Sequence, residues 1–291
     1  MKLITDFFKG AVIGIANIIP GLSGGTMALI MGIYEQLTDA IGNLLTDKEK
    51  RKVYLLFLGT ILIGAVAGIL LFAGLFTWLL STPIKQQHTY FFITGLITGS
   101  IPFIFRLNKD MKINGNRLLL MLLGLCIVIF FSLFADKENV VYFPEIRRTI
   151  LGFINITDFH LGYNLWLIVC GIITAVSMVL PGVSGSALLV SLGEYSNILS
   201  IVDRMLVIPG AFFGIGVVFG IVLCAKVVSI LLKKYTIQTY FFIIGLMLAS
   251  IYQIWLELQE SINLTPHVLI VSIILGYIGF LVAYYTSKIN N

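Results

Sequence analysis

The chain has 291 residues, 58% of them hydrophobic and only 11% charged, with a formal net charge of +5. That balance excludes a soluble globular protein, and several apolar runs reach the roughly 20 residues a bilayer helix needs. The positive excess belongs to loops beside a membrane and points to no nucleic-acid partner.

The N-terminus carries no secretory pattern, because Asp6 and Lys9 interrupt it and no small-residue cleavage site follows. The run from Lys9 to Ile19 makes about 16 Å of helix, enough to reach the middle of a roughly 30 Å hydrocarbon core but not to cross it. It ends in Asn17-Ile18-Ile19-Pro20-Gly21-Leu22-Ser23-Gly24-Gly25-Thr26, where proline stops the helix and glycine turns the chain. The return arm from Leu22 meets Glu35 and Asp39 before it is long enough to cross. Residues 9–45 therefore read as a re-entrant hairpin, followed by crossings at about 53–80, 90–105 and 118–134.

Residues 136–164 form a connecting segment, in which Arg147-Arg148 reads as a solvated pair or as a collector of anionic head groups. The second half then echoes the first. Met178-Val179-Leu180-Pro181-Gly182-Val183-Ser184-Gly185-Ser186 breaks a second hairpin over 165–201, and crossings follow at about 206–232, 240–256 and 268–285. A shift of 161 places Pro20 on Pro181, Ser23 on Ser184 and Gly32 on Gly193. A shift of 150 places Thr89-Tyr90-Phe91-Phe92-Ile93 on Thr239-Tyr240-Phe241-Phe242-Ile243. The expected fold is thus an all-α polytopic membrane protein. It has two inverted repeats, residues 1–135 and 165–291, each a hairpin plus three transmembrane helices. An odd number of crossings per half turns the second half upside down, and fourteen of the 19 Lys and Arg residues then fall on the side of both termini, the cytoplasm.

Cys126, Cys170 and Cys224 lie inside apolar runs, where buried packing is expected, and three scattered histidines give no metal-ligand spacing. No cofactor or metal is expected. Gly64/Gly68, Gly95/Gly99, Gly210/Gly214 and Gly216/Gly220 predict close helix contacts. Trp78, Trp166 and Trp255 near run ends read as interface anchors.

Non-helical backbone at membrane depth survives only where it is buried in protein or lines a cavity. Inverted repeats with broken helices near the midplane are a transporter arrangement. The expected substrate-binding residues are Asn17, Gly21, Ser23, Gly24, Gly25 and Thr26 at the first tip, and Gly182, Ser184, Gly185 and Ser186 at the second. Their hydroxyls and backbone N–H groups suit an anion, and phosphate best fits a Ser/Gly nest. Plain helix capping is the alternative for these residues, and a local backbone bond the alternative for Asn17. Arg106 and Arg204 flank the core and are candidates to receive a phosphate, against ordinary interfacial charges. Glu35 and Glu194 are candidates to carry a coupled proton, and Glu35 equally reads as an interface carboxylate. The long apolar surfaces suit a substrate whose lipid tail stays in the bilayer.

Pro20-Gly21-Leu22-Ser23-Gly24-Gly25-Thr26 with Gly32-Ile33-Tyr34, and the second copy ending Gly193-Glu194-Tyr195, resemble the bacterial polyprenyl-phosphate translocase family over nearly the whole chain. The resemblance implies a flippase of the bacterial plasma membrane. It would return undecaprenyl phosphate from the outer to the inner leaflet, recycling the carrier for peptidoglycan and teichoic acid synthesis. Pro-Gly-x-Ser also resembles the undecaprenyl-pyrophosphate phosphatases. Their motif follows the serine with arginine, where Gly24 and Gly185 stand here, and no Glu-x-x-x-Glu is present. Without that cation a phosphoryl transfer lacks a main electrostatic stabiliser. A small-anion transporter or channel is the remaining alternative.

Overall fold

The computed structural model describes residues 2–17, 23–107, 110–133, 146–150, 154–157, 160–259 and 262–289. The first half runs α1 (Lys2–Asn17), α2 (Gly24–Ile30), α3 (Tyr34–Asn43), α4 (Arg51–Leu79), α5 (Pro83–Leu107) and α6 (Gly115–Leu133). Two short strands follow, β1 (Ile146–Ile150) and β2 (Ile154–Thr157). The second half runs α7 (Leu161–Val179), α8 (Gly185–Ser191), α9 (Tyr195–Asp203), α10 (Val207–Lys234), α11 (Thr236–Gln259) and α12 (Pro266–Ile289). The protein is a helical polytopic membrane protein, with seven helices among the described residues long and apolar enough to cross a bilayer: α4, α5, α6, α7, α10, α11 and α12. Large side chains such as Leu70, Leu71, Val218 and Ile273 are exposed along these helices, as lipid-facing surfaces require.

Several expectations are corrected. The first arm begins at Lys2 rather than Lys9, so α1 has 16 residues. The 19 residues of α7 are themselves long enough for a crossing. Each return arm is two pieces, not one. Gly32 (φ 68°) and Gly193 (φ 73°) occupy the left-handed region that glycine alone enters cheaply. The N–H groups of Ile33 and Glu194 close back on Ala28 O and Leu189 O at 2.9 Å in both cases. Helices α8 and α9 are bent by 114° at that break. The connecting segment is not all loop, because β1 and β2 pair antiparallel. This hairpin docks on the turn before α10, where Asn155 N–H reaches Met205 O at 3.0 Å and Asn155 Nδ2 donates to Arg204 O at 2.6 Å.

The two halves pack alike. A Cβ at Gly64 would lie 2.1 Å from Phe7 O, and one at Gly216 would lie 2.2 Å from Ile168 O. Phe7 and Ile168 are 161 residues apart, so α4 seats on α1 as α10 seats on α7. Likewise Gly95 on α5 abuts the Gly276 carbonyl of α12, and Gly245 on α11 abuts the Met121 carbonyl of α6. Three of the four small-residue pairs thus make the expected close contacts. Gly210/Gly214 do not: Gly214 has nothing within 4 Å, since α10 presents its other face, Gly216 and Gly220, to α7. Cys126 is exposed, contrary to expectation, on the outer face of α6, while Cys170 is buried and Cys224 half-buried.

The likeness fails at one place. Helix α3 lies along the Lys226–Lys234 end of α10, burying Ala225, Val228, Ser229 and Leu232. Gly42 makes this possible, for a Cβ there would sit 2.6 Å from Lys226 Cα. In the register set by Gly64 and Gly216, the α4 counterparts of Ala225 and Ser229 are Ala73 and Thr77, and both are exposed. Gly74, the counterpart of Lys226, has nothing within 4 Å. Among the described residues α9 packs on α8 and α10, without matching contact to α4.

Candidate functional site

The two hairpin tips touch near the centre of the fold. Ser23 stands just before α2, its Oγ accepting the Thr26 N–H at 3.2 Å as a helix cap. The second tip closes on it: the Gly182 N–H reaches Ser23 Oγ at 3.2 Å and Thr26 Oγ1 at 3.1 Å, and Ser23 Oγ donates to Leu180 O at 3.3 Å. Gly25 permits the approach, because a Cβ there would lie 2.7 Å from Val179 O. Ser23, Gly24, Gly25 and Thr26 are all buried; the Ser23 proton goes to Leu180 O of the other tip, and Thr26 Oγ1 lies 3.0 Å from Ser23 Oγ while accepting the Gly182 N–H. Asn17 is exposed, and its Oδ1 accepts the Gly24 N–H at 2.9 Å, so it makes the local backbone bond. Gly21 lies outside the described residues.

The second tip differs. Ser184 caps α8 by accepting the Ala187 N–H at 3.4 Å, and its Oγ lies 3.0 Å from Ser186 Oγ at an exposed position. One bond between two hydroxyls uses one proton, so the pair keeps a donor. Ser184 lines a cavity of about 330 Å³ between α6, α7, α8 and α11, walled by Ile127, Phe131, Ile173, Val176 and Phe242. Both α2 and α8 have only seven residues, so what the tips offer an anion is hydroxyls and loop N–H groups rather than a long helix dipole. A Cβ at Gly24 or Gly185 would lie 2.7 Å from Asn17 Oδ1 or 2.6 Å from Ser177 Oγ, so any larger residue there must first turn those side chains aside.

The charged candidates are scattered. Arg106, near the end of α5, donates to Tyr284 OH at 2.5 Å and stacks on that ring. Arg204 follows α9, its carbonyl held by Asn155. Neither is brought to the tips. Glu194 is buried, its oxygens accepting from Tyr163 OH at 3.1 Å, Trp166 Nε1 at 3.0 Å and Asn197 Nδ2 at 2.9 Å. Glu35 is exposed and accepts from Tyr240 OH at 2.7 Å. It lines two cavities of about 210 and 200 Å³, the first shared with Tyr34 and Tyr240, the second with Thr38, Ser229 and Lys233. The hydroxyl of Tyr34 is buried there without a partner.

Three features escaped the sequence reading. Tyr90 and Tyr240, counterparts in the repeated block, each donate to a carboxylate, Glu257 and Glu35 respectively. Asp39 receives Lys233, Ser229 and Tyr54, while Lys226 donates to Asn43, joining α3 to α10 and α4. Gln253 sits alone in an apolar run and lines the 330 Å³ cavity. A lone polar side chain in a membrane helix was the available signal for it.

Residues 13–268 match the VCA0040-like family, described as undecaprenyl phosphate translocase-like. A Vibrio cholerae protein named polyprenyl-phosphate transporter is 30% identical over 266 residues, covering 88% of this chain and 78% of its own. A Staphylococcus aureus protein of the same name is 26% identical, covering 98% of this chain and 96% of its own. No solved structure matches. A match spanning most of the chain, over a helical membrane fold with doubled Pro-Gly-x-Ser-Gly tips, places the protein in the VCA0040-like, undecaprenyl phosphate translocase-like family.

Proposed function

We propose that the protein moves a polyprenyl phosphate between the leaflets of the bacterial plasma membrane, from outer to inner, returning the carrier for peptidoglycan and teichoic acid synthesis. Both relatives bear the name polyprenyl-phosphate transporter. The observation that carries the reading is the unequal closure of two similarly packed halves. On our reading the halves are inverted and both termini are cytoplasmic, as the loop charges favour. The α3–α10 contact is then a shut inner gate, and the exposed end of α4 faces an outer gate that stands open. Two gates around one pair of touching tips are what alternating access requires.

The substrate phosphate is held at the second tip, by Ser184 and Ser186, while Ser23 and Thr26 close the floor beneath it. An enzyme reading finds no support at the tips, where Gly24 and Gly185 stand in place of a phosphate-clamping arginine. Inward movement is coupled to a proton. Glu35, with Tyr240 and the unpartnered Tyr34 hydroxyl around a cavity large enough for water, is a candidate carrier on the inner side. The phosphate itself is the other. Reconstituted protein carrying labelled polyprenyl phosphate tests the reading. The label should exchange between leaflets many-fold faster than in empty liposomes. Exchange no faster than in empty liposomes, or flux of small anions without lipid, overturns it.

A further inference from the structure

The apolar cavity between α6, α7, α8 and α11 holds a buried amide whose hydrogen bonding is incomplete. Gln253 on α11 is 9% exposed. Its Nε2 donates to Ser132 Oγ at 2.9 Å, and Ser132 Oγ donates in turn to Val128 O at 3.0 Å. The serine proton is therefore spent, which fixes the amide with Nε2 toward Ser132. Its Oε1 is left buried with no partner. Buried polar atoms almost always find one, so an orphan in a cavity calls for a donor that binds there.

The same cavity is bordered by Ser184, whose pair with Ser186 keeps a hydroxyl proton to give. One cavity thus offers a donor and an acceptor, with apolar walls between. No Asp, Glu, Lys, Arg or His lines it. The titratable side chains on the helices that wall it are engaged or placed elsewhere. On α6, Arg117 is bonded to the Asp110 and Lys112 carbonyls, and Cys126 is exposed. On α7, Tyr163 is on Glu194 and Cys170 packs in another cluster. On α11, Tyr240 is on Glu35, Glu257 on Tyr90, and Tyr252 does not line the cavity. Helix α8 carries none.

A phosphate monoester has two forms near neutral pH, its second pKa being near 6. The dianion has only acceptor oxygens and meets Gln253 Oε1 acceptor to acceptor. The monoanion has one P–OH, which can donate to that oxygen while the other oxygens accept from Ser184. Apolar walls penalise the second negative charge further. We propose that this cavity loads the prenyl phosphate in its singly protonated form, with Gln253 Oε1 accepting the P–OH, Ser184 donating to a phosphate oxygen, and the first prenyl units lying against Phe131, Ile173 and Phe242. This rests on the lipid-phosphate reading above and makes the substrate itself the proton carrier.

Binding of farnesyl phosphate and of its phosphate methyl ester to the intact protein in nanodiscs tests it. The ester is a monoanion at every pH used but has no P–OH. Farnesyl phosphate should bind on the order of 50–100-fold more weakly at pH 8 than at pH 5.5, following its protonated fraction. The ester should bind weakly and without pH dependence. Gln253→Leu should bring the two ligands within about threefold of each other at pH 5.5, while the apolar walls still disfavour the farnesyl phosphate dianion at pH 8. If the native protein binds both ligands equally at both pH values, the Gln253 assignment is wrong and a water satisfies that oxygen. If it binds neither at any pH, the lipid-phosphate reading itself fails. Should Gln253→Leu not fold, the two ligands on the native protein still decide.

Discussion

At Gly182 the backbone has φ 79°, and a Cβ there would lie 2.5 Å from the carbonyl carbon of Leu246 on α11. The residue is doubly constrained, by its own conformation and by a neighbouring main chain that cannot step aside. Its N–H is also the one that bridges Ser23 and Thr26. Gly182→Ala should cost about 1–3 kcal/mol from the backbone alone, before the clash is counted. The apparent Tm in detergent should fall by about 4–10 °C. Gly214→Ala is the control: it faces open space on α10 and should leave Tm unchanged or raise it. A Gly182→Ala protein as stable as the native one would show that the tips do not lock the halves together. Pro181-Gly182 was legible in the sequence as a break. That the break would press on α11, more than sixty residues on, was not.

At the scale of elements, the contact of α3 with α10 is the one that sets the two halves apart, and it is the inner gate of the proposed function. Burial pushes the Asp39 carboxyl up, but hydrogen bonds from Lys233, Ser229 and Tyr54 outweigh it and hold the group below the usual carboxylate value. A depressed carboxylate stabilises the contact at pH above its unfolded value of about 3.9, and the stabilisation is lost as pH falls through the lower, folded one. Titration of Asp39 therefore does not loosen the contact near neutral pH, and if it is the inner gate of the proposed function, another step must open it. Asp39→Asn should open it at neutral pH. Thr38 is buried in this contact. A cysteine introduced there, with Cys126, Cys170 and Cys224 replaced, should react with a polar thiol reagent several-fold faster when Asp39→Asn is added. Equal rates would mean that packing of Gly42 on Lys226, rather than charge, holds α3 down. Asp39 was visible in the sequence as an acidic residue four after Glu35. Its partner 194 residues away was not.

At the scale of the whole molecule, direction is an electrical problem. Each negative charge moved inward against a cell potential costs about 2.3 kcal/mol per 100 mV. A phosphate monoester carries about 1.5–2 such charges at neutral pH. Bare uniport would gather the lipid on the outer leaflet, the reverse of recycling, unless cytoplasmic consumption kept it scarce inside. One co-transported proton cancels one charge and adds the pH gradient. In proteoliposomes with the potential held at zero, an acidic exterior should accelerate inward movement of polyprenyl phosphate. Rates indifferent to that gradient would leave consumption as the drive. If Glu35→Gln and Glu194→Gln both keep the response, the proton rides on the phosphate, as the Gln253 cavity requires.

The sequence by itself determined the membrane class, the breaks at Pro20-Gly21 and Pro181-Gly182, and the doubling of the chain. These follow from run length, local backbone chemistry and self-similarity, none of which needs a partner. It also marked Ser23 and Ser184 as equivalent, and there it reached its end. Only the tertiary structure decided that Ser23 is buried under Gly182 while Ser184 opens on an apolar cavity. It also decided that α10 is covered by α3 while the matching stretch of α4 is bare. Two copies of one motif carry the same local instructions. Which copy is free to bind depends on what packs against it, and those neighbours lie up to 159 residues away along the chain.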